Sequence, residues 1–240
     1  MARQLTTAVF YVHLYGFVHK NIRPETILSL GKTEDEALPH TAFLIGYQVV
    51  RDADGRTRPL ADLKLEANIY RHPQRWGNEA EYFVMQHDIY SLGVCLLEIG
   101  LWESFVAYDA DGAARPSPVL LSRAGISLEA LQDPRVLKEH FVELIRGAML
   151  RAKMGNKYSK VVETCLTCLD KDNVDFGDED EFLDEDRVVV GVRYIEKVLG
   201  ALERVHLTAW PWGRSRPFPL PASTFIIHCY IRLFVKYVIP

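Results

Sequence analysis

The hydrophobic positions of the first fifty residues predict one helix followed by two short strands. Residues 3–15 are apolar at helical spacing, through Leu5, Ala8, Val9, Val12 and Leu14. Gly16 follows directly and is predicted to end this helix, because glycine is common just after the last helical turn. The segments 27–30 and 41–45 are typical of strands on either side of a polar stretch, so a small hairpin is expected there.

Further along the chain, the apolar positions predict four more helices and one long loop. Residues 50–69 have no period and contain Gly, Pro and mixed charge, which is typical of an irregular loop. Residues 87–102 are apolar around most of the circumference, so this helix is expected in the middle of the domain. Amphipathic helices are predicted over 135–152, over 157–169 and through Val192, Ile195, Val198, Leu199 and Leu202. The expected fold is therefore mainly α with a small β-hairpin.

The composition is that of an ordinary globular protein. Hydrophobic residues make up 48% and charged residues 25% of the 240 residues, and the net charge is −4. A net negative charge does not indicate the basic surface that nucleic-acid binding needs, so no nucleic-acid partner is expected. Four scattered cysteines favour reduced thiols over a disulfide framework. The sequence shows neither a signal peptide nor an apolar run of membrane-spanning length, so a soluble cytoplasmic protein is expected.

The character of the sequence changes after Leu202. Residues 203–240 hold five of the twelve prolines and two of the four tryptophans, which does not continue the helical pattern. We therefore predict one domain over 1–202 and an unrelated tail over 203–240, either disordered or an artefact of the gene model.

A basic stripe recurs every four residues near the end of the tail, at His228, Arg232 and Lys236. This spacing fits an interfacial membrane helix, and contact with a membrane is expected only in that case. It also fits a buried strand, because an even spacing places all three side chains on one face. The third interpretation is read-through of an intron.

One segment near the start has the order of a known catalytic motif. Residues 16–28 read GFVHKNIRPETIL, which resembles the catalytic loop of eukaryotic protein kinases, H-R-D-L-x-x-x-N. In that family the aspartate accepts the substrate proton and the asparagine binds Mg²⁺. His19 and Arg23 fall within the motif, whereas Asn21 stands at the aspartate position and Thr26 at the asparagine position. A carboxamide is neutral and its NH₂ group donates, so Asn21 cannot act as the base.

The D-F-G motif of the family aligns with Leu44, Ile45 and Gly46. Leu44 therefore stands where the family has a Mg²⁺-binding aspartate, and a hydrocarbon cannot coordinate a hard cation. The glycine of the motif is kept at Gly46. The resemblance thus implies that the base and both metal ligands have been lost together.

Two later segments keep the architectural positions of the family. YRHPQR resembles the A-P-E region and keeps Pro73, but Gln74 replaces the glutamate that forms a structural ion pair in kinases. HDIYSLG resembles D-x-W-S-x-G, with Asp88 and Gly93 in place. The resemblance implies that Asp88 braces the catalytic loop through its backbone N–H groups. It also implies a kinase C-terminal lobe over residues 1–202, beginning inside a helix and lacking the N-terminal lobe.

These losses imply a catalytically inactive, kinase-like binding or regulatory module in signalling. No cofactor is expected; ATP and Mg²⁺ would bind only if an N-terminal lobe were supplied and the degenerate site tolerated them. Protein partners are expected at the 50–69 loop and at the acidic segment that precedes the last helix. The motif style also resembles kinase-like domains of filamentous fungi that follow HeLo-type or prion-inhibition domains.

Two other interpretations stay open. The chain could be a fragment of an ATP-dependent Ser/Thr protein kinase whose N-terminal lobe lies outside the recorded sequence. It could also be a truncated product without a stable function, in which case an exposed lobe interface would make it aggregate.

Three further features have a structural and a functional interpretation. Cys165 and Cys168 form one CxxC, which supplies two of four zinc ligands; buried thiols in a helix are the preferred interpretation. The run 170–186 carries ten carboxylates but fails the EF-hand pattern, so a solvated acidic loop is preferred. His19 is expected to pack inward and support its loop, and His72 is expected to be exposed.

Overall fold

The fold is mainly helical and is built around one central helix. The computed structural model describes residues 1–30, 41–53, 64–76, 82–122, 127, 130–173, 175–176 and 191–205. The helices in the described residues are α1 (Ala2–Leu14), α2 (Leu65–Asn68), α3 (Met85–Leu101), α4 (Pro118–Ser122), α5 (Pro134–Arg146), α6 (Ala148–Leu166) and α7 (Val192–Glu203). Short 3₁₀ turns occur at Pro24–Thr26, Tyr47–Val49, Pro73–Arg75 and Ala130–Gln132.

Helix α3 lies in the middle of the core, as its apolar circumference predicts. Every residue of α3 except Ile99 is buried. Two glycines of this helix allow α6 to approach closely, because a methyl group on Gly93 would lie 2.7 Å from Cys165 Cβ, and one on Gly100 would lie 2.5 Å from Leu150 Cδ1. Buried apolar side chains contribute about 1.5–3 kcal/mol each, so this packing supplies much of the stability of the fold.

Helix α1 begins and ends close to the predicted bounds. Leu5 and Val9 are buried against the core, and Gly16 follows the helix with a φ of 75°. This left-handed conformation is the one that glycine adopts readily after a helix. The chain therefore turns at the predicted residue and enters the segment that resembles a catalytic loop.

The single helix predicted over 135–152 is wrong in its continuity, because the chain breaks at Gly147 and residues 148–152 belong to the next helix. Helix α5 begins at Pro134, where the Asp133 side chain accepts a 2.8 Å hydrogen bond from Arg135 N–H, and it ends at Arg146. Gly147 is extended, with φ −61° and ψ 161°, so a new helix begins after it. That helix, α6, covers most of the helix predicted over 157–169, and Gly155 interrupts it with φ 81° and ψ 167°.

The predicted hairpin is confirmed, and two further strand pairs accompany it in the described residues. Strands β2 (Ile27–Leu30) and β3 (Thr41–Leu44) pair antiparallel with Ile27 opposite Leu44. No local pattern predicts the other two pairs: β1 (Phe17–Val18) with β4 (Arg51–Asp52), and β5 (Val106–Tyr108) with β6 (Ala114–Pro116).

The loop predicted over 50–69 is wrong at both of its ends. Strand β4 occupies Arg51–Asp52 and helix α2 occupies Leu65–Asn68. Residues 54–63 lie outside the described residues. The local sequence hides the strand, because its partner β1 is more than thirty positions away in the chain.

The last predicted helix is confirmed as α7, with Ile195, Val198 and Leu202 buried. Residues 206–240, including the basic stripe of the tail, lie outside the described residues, and so does most of the acidic run after Asp175. Within the described ranges, no helix is both long enough and apolar enough to cross a membrane.

The CxxC cysteines are buried thiols, as preferred from the sequence. Cys165 lies on α6 and Cys168 lies just beyond its end, and both are free. Cys168 Sγ donates a 3.3 Å hydrogen bond to Gln86 O. Burial raises the pKa of the Cys168 thiol to about 12, so it stays protonated at neutral pH.

Candidate functional site

The segment after α1 is held to the start of α3 by one buried carboxylate. Asp88 Oδ2 accepts a 2.6 Å hydrogen bond from His19 N–H, and Asp88 Oδ1 accepts a 2.8 Å bond from Lys20 N–H. His13 Nε2 lies 3.2 Å from Asp88 Oδ2. These backbone bonds are the contacts that the resemblance to a kinase loop implies for Asp88. Lys20 has a φ of 66°, which such firm backbone bonding can maintain.

His19 packs inward, as predicted, and its side chain is fully buried. Its ring meets the Tyr47 ring edge-on, with centroids 4.9 Å apart. Burial lowers the pKa of His19, and the nearby Asp88 carboxylate opposes that shift in part. The imidazole is therefore a neutral support for the loop at physiological pH.

Asn21, Thr26 and Gly46 come together in space although they lie on two different segments. A methyl group placed on Gly46 would lie 2.6 Å from Thr26 Cγ2 and 3.3 Å from Asn21 Nδ2. Gly46 has a φ of 88°, so the position needs glycine for its backbone as well as for its lack of a side chain. The backbone bond from Ile45 N–H to Thr26 O, at 2.8 Å, joins the same two segments.

The Thr26 hydroxyl is used within the loop itself. Its Oγ1 lies 2.7 Å from Asn21 O and 2.9 Å from Arg23 O, and it accepts a 3.2 Å bond from Arg23 N–H. The side chain is 5% exposed. A hydroxyl has one proton and two lone pairs, so these backbone contacts use most of its hydrogen-bonding capacity.

Leu44 faces the core. It is 6% exposed and belongs to the main cluster of buried apolar side chains, and Ile27 is its partner across the hairpin. Three positions align with the residues that carry proton transfer and metal binding in the kinase motif. They hold a carboxamide at Asn21, a hydroxyl bonded to the loop backbone at Thr26 and a buried hydrocarbon at Leu44. None of these three side chains is a carboxylate.

Arg23 and Glu25 flank the 3₁₀ turn of the loop. Arg23 Nε lies 3.7 Å from Glu25 Oε2, and Tyr108 Oη donates a hydrogen bond to Glu25 Oε1. Sequence reasoning missed Tyr108, because it lies on β5, more than eighty positions away.

Lys20 is surrounded by arginines that sequence reasoning also missed. Burial lowers the pKa of Lys20, and Arg51, Arg75 and Arg71 lower it further. Arg51 and Arg75 meet at one aromatic residue: Arg51 Nη2 donates to Phe83 O at 3.0 Å, and the Arg75 guanidinium lies 5.4 Å from the Phe83 ring centroid. Three arginines that the local pattern does not connect to the loop thus lie near Lys20, and the Asp88 carboxylate opposes their effect in part.

The segment around Pro73 is held by hydrogen bonds between uncharged side chains and the backbone. His72 is 4% exposed, so the prediction that it is exposed is wrong. Its Nδ1 accepts a 3.2 Å bond from Gln74 N–H and thereby caps the 3₁₀ turn that begins at Pro73. Gln74 Oε1 lies 3.3 Å from His87 Nε2. Burial, chiefly, lowers the pKa of His72 to about 3 and that of His87 to about 2, so both rings stay neutral.

A second buried carboxylate, Glu98, joins α3 to two other segments. Its Oε1 accepts bonds from Phe105 N–H at 2.6 Å and from Tyr70 Oη at 2.8 Å. Burial raises the pKa of Glu98 to about 8, although these hydrogen bonds oppose the shift. Sequence reasoning missed this group; the signal that could have found it is a lone glutamate inside an otherwise apolar helix.

Among the described residues, no group of three or more His, Cys, Asp or Glu side chains is arranged to hold a metal ion. At the convergence of Asn21, Thr26 and Gly46, Asn21 contributes a neutral carboxamide and Thr26 a hydroxyl that is already bonded to the loop backbone. A neutral oxygen of this kind is a weak ligand for Mg²⁺ without accompanying carboxylates.

Comparison with known proteins gives a partial and distant similarity to a protein kinase. No protein-family model matches the chain. The chain is similar to eukaryotic translation initiation factor 2-alpha kinase 1 of Rattus norvegicus, with 26% identity over 102 residues. The match covers 40% of this chain and 16% of that kinase, so the chain spans a small part of the length of its relative.

Proposed function

We propose that this chain is a catalytically inactive, kinase-like module that works as a binding or regulatory domain in signalling. On this proposal the described helices form the C-terminal lobe of a protein kinase fold. The observation that carries the proposal is the convergence of Asn21, Thr26 and Gly46 beside the buried Leu44, with no carboxylate at the positions of the base and the metal ligand.

Phosphoryl transfer depends mainly on electrostatic stabilisation by metal ions and positioned charges. Leu44 offers no oxygen to a metal, and the Thr26 hydroxyl is committed to the loop backbone. Asn21 cannot accept the proton of a substrate hydroxyl. Each of the three substitutions removes a different part of the reaction, so the proposed module acts by binding.

The retained scaffold supports this interpretation. Asp88 holds the loop backbone with two short bonds, and Gly46 keeps the conformation that its position requires. On this proposal the residues around Lys20, whose backbone Asp88 holds in place, form an ordered binding surface. We propose a protein partner for that surface, with the acidic run 170–186 as a second contact, and a cytoplasmic location.

The test is phosphate transfer and Mg²⁺·ATP binding by the longest native protein that contains this chain. We expect no transfer from ATP to itself or to a basic protein substrate, and no change when Asn21 is replaced by Ala. Restoring the motif with Asn21→Asp, Thr26→Asn and Leu44→Asp is expected to produce no efficient kinase, because Leu44→Asp also buries a charge. Leu44→Asn is the matched control for that burial.

The second candidate function is an ATP-dependent Ser/Thr phosphotransferase, favoured by the similarity to a protein that is named as a kinase. Phosphate transfer by the unmodified protein, abolished by Asn21→Ala with the circular dichroism spectrum unchanged, would establish this function and overturn the first. The finer resemblance to fungal domains that follow HeLo-type segments belongs to the first proposal, since both concern signalling.

A further inference from the structure

A group of exposed apolar side chains lies where α1 ends. Tyr11 is 52% exposed, Leu14 47% and Tyr15 72%. Residues three and four positions apart lie next to each other on a helix, so these side chains form one surface, the α1-end patch. Phe17, 38% exposed on β1, follows directly after the turn at Gly16. Single exposed apolar residues are ordinary, but a group of large ones marks a binding surface.

The described core does not use the α1-end patch. Helix α1 is packed through another face, on which Leu5, Val9 and Val12 are at most 8% exposed. Next to the patch, a methyl group on Gly16 would have no neighbour within 4 Å, so the space there is open. A second apolar surface can therefore lie on the patch without displacing protein atoms, and each Å² of apolar area that it covers contributes about 25 cal/mol.

The chain carries a strongly apolar segment outside the described residues. Residues 224–240 read TFIIHCYIRLFVKYVIP, and every odd-numbered residue of this segment is apolar. Its three basic residues, His228, Arg232 and Lys236, occupy even-numbered positions. In an extended chain one face is therefore apolar throughout, and in a helix the basic residues share one stripe. In both conformations the segment has a broad apolar face to bury.

The end of α7 lies within reach of the α1-end patch. Gly191, just before α7, approaches Met85 closely, since a methyl group on Gly191 would lie 2.6 Å from Met85 Sδ. Met85 packs with Val18, which follows α1. Helix α7 thus begins beside the end of α1, and because it packs along α1 it ends near the start of that helix. Helix α1 has 13 residues and is about 20 Å long, whereas residues 206–223 span up to about 60 Å when extended, so the segment can reach the patch.

We infer that residues 224–240 lie on the α1-end patch of the same chain, with their apolar face on Tyr11, Leu14 and Tyr15 and their basic residues towards solvent. A tether of this length holds the segment at an effective concentration in about the millimolar range. A second copy or a separate partner would instead lose its freedom of translation and rotation on binding. The inference does not depend on the proposed function, because none of the patch residues aligns with the base or the metal ligands of a kinase.

Cross-linking between cysteines tests the inference on the full chain. Cys229 lies within the segment, and the other three cysteines are buried and therefore poorly accessible to maleimides. Tyr15→Cys treated with bismaleimidoethane is expected to give a cross-link to Cys229 within one chain, at least tenfold faster than Glu139→Cys at an exposed position of α5. Cys229→Ser is expected to remove the product, which gel migration and peptide mass spectrometry identify. A cross-linked dimer would assign the patch to a second copy, and equal rates in the two variants would show that the segment does not lie there; either result overturns the inference.

Limited digestion with trypsin gives a second measurement. Arg214 lies between α7 and the segment, and Arg232 lies within the segment, so cleavage after Arg232 is expected to be at least tenfold slower than cleavage after Arg214. Leu14→Glu together with Tyr15→Glu places charge on the patch and is expected to remove this protection; both positions are exposed, and an unchanged circular dichroism spectrum confirms the fold. Gln132→Glu, at an exposed position elsewhere, is expected to keep the protection. Equal cleavage at both arginines in the unmodified chain, or protection that survives the double variant, would overturn the inference.

Discussion

Asp88 and Leu44 are both buried, and both stand at positions that carry aspartate in the motifs that the sequence resembles, yet one is a carboxylate and the other a hydrocarbon. Asp88 accepts the backbone N–H groups of His19 and Lys20, so its removal would leave buried donors without an acceptor. Leu44 packs in the apolar core, among side chains that require no acceptor. Folding therefore requires the carboxylate of Asp88, because two backbone N–H groups bond to it. Folding does not require a carboxylate at position 44, because no buried donor depends on one there.

Replacing Asp88 with Ala tests this contrast most strongly. The variant leaves the buried N–H group of His19, the partly buried N–H group of Lys20 and the ring of His13 without their partner, so we expect the free energy of unfolding to fall by about 3–5 kcal/mol. Urea unfolding followed by circular dichroism measures the change. Asp109 is the matched control, since it also accepts two backbone N–H groups but does so in a solvent-exposed turn, and Asp109→Ala should cost less than about 1 kcal/mol. Equal losses in the two variants would contradict the role assigned to burial.

Glu98 extends the comparison to a second buried carboxyl group, whose contribution to stability is expected to depend on pH. Because burial raises its pKa from 4.5 to about 8, the folded protein keeps a proton that the unfolded chain releases. Stability from this group is therefore full below about pH 4.5 and is lost as pH rises through 8, by on the order of 5 kcal/mol.

Glu98→Gln removes the titrating group and keeps an acceptor oxygen for Phe105 and Tyr70. The variant is expected to match the unmodified chain near pH 5 and to be the more stable of the two at pH 8.5, as measured by urea unfolding at a series of pH values. Glu203→Gln, at an exposed position, serves as the control. Parallel curves for Glu98→Gln and the unmodified chain would rule out a raised pKa at Glu98.

Gly46→Ala tests the close approach of Gly46 to Thr26 and Asn21. The new methyl group would lie 2.6 Å from Thr26 Cγ2 at a φ of 88°, so a loss of about 2–3 kcal/mol is expected. Gly112→Ala has a similar φ of 79° with nothing within 4 Å, and should cost about 1 kcal/mol.

Thr26→Ser removes the crowded Cγ2 and keeps the hydroxyl, which makes a double-mutant cycle possible. Thermal unfolding of the double variant that carries Gly46→Ala together with Thr26→Ser is expected to recover about 1 kcal/mol of the loss. Strict additivity of the two substitutions would mean that Thr26 and Gly46 are not in the contact described.

Asn21→Asp should have the smallest effect. Asn21 is partly exposed, so water can solvate a new carboxylate there, and we expect a change in unfolding free energy within about 0.5 kcal/mol. Urea unfolding at neutral pH measures it. The proposed function predicts no gain of phosphate transfer in this single variant. A loss of unfolding free energy above about 1 kcal/mol would show that the Asn21 carboxamide stabilises the loop.

The sequence predicted those parts of the fold that depend on local spacing. Helix α3, helix α7 and the β2–β3 hairpin follow from hydrophobic period and turn residues, and Gly16 and Asp88 lie where the patterns imply. The break at Gly147 was missed because apolar residues continue at helical spacing across it. The β1–β4 pair and the group of arginines around Lys20 depend on segments far apart in the chain, which local patterns cannot reveal.

The burial of His72 was missed for a related reason. A polar residue in a short turn has no hydrophobic period to mark it, and its ring is covered by His87 and Tyr90, which belong to α3. At the candidate site, the identities of Asn21, Thr26 and Leu44 follow from the motif alone. The proximity of Asn21 and Thr26 to Gly46, and the use of the Thr26 hydroxyl by the backbone, emerge only from the three-dimensional structure.

The burial of Leu44 has a consequence for how such a protein evolves. Under the proposed function, a return to aspartate at this one position would place a charge in an apolar cluster and weaken the fold before any activity was regained. Selection for stability would then remove the intermediate, so recovery of the lost reaction would need several simultaneous changes. If the proposed function holds, the hairpin that places Leu44 opposite Ile27 would make the loss of activity difficult to reverse.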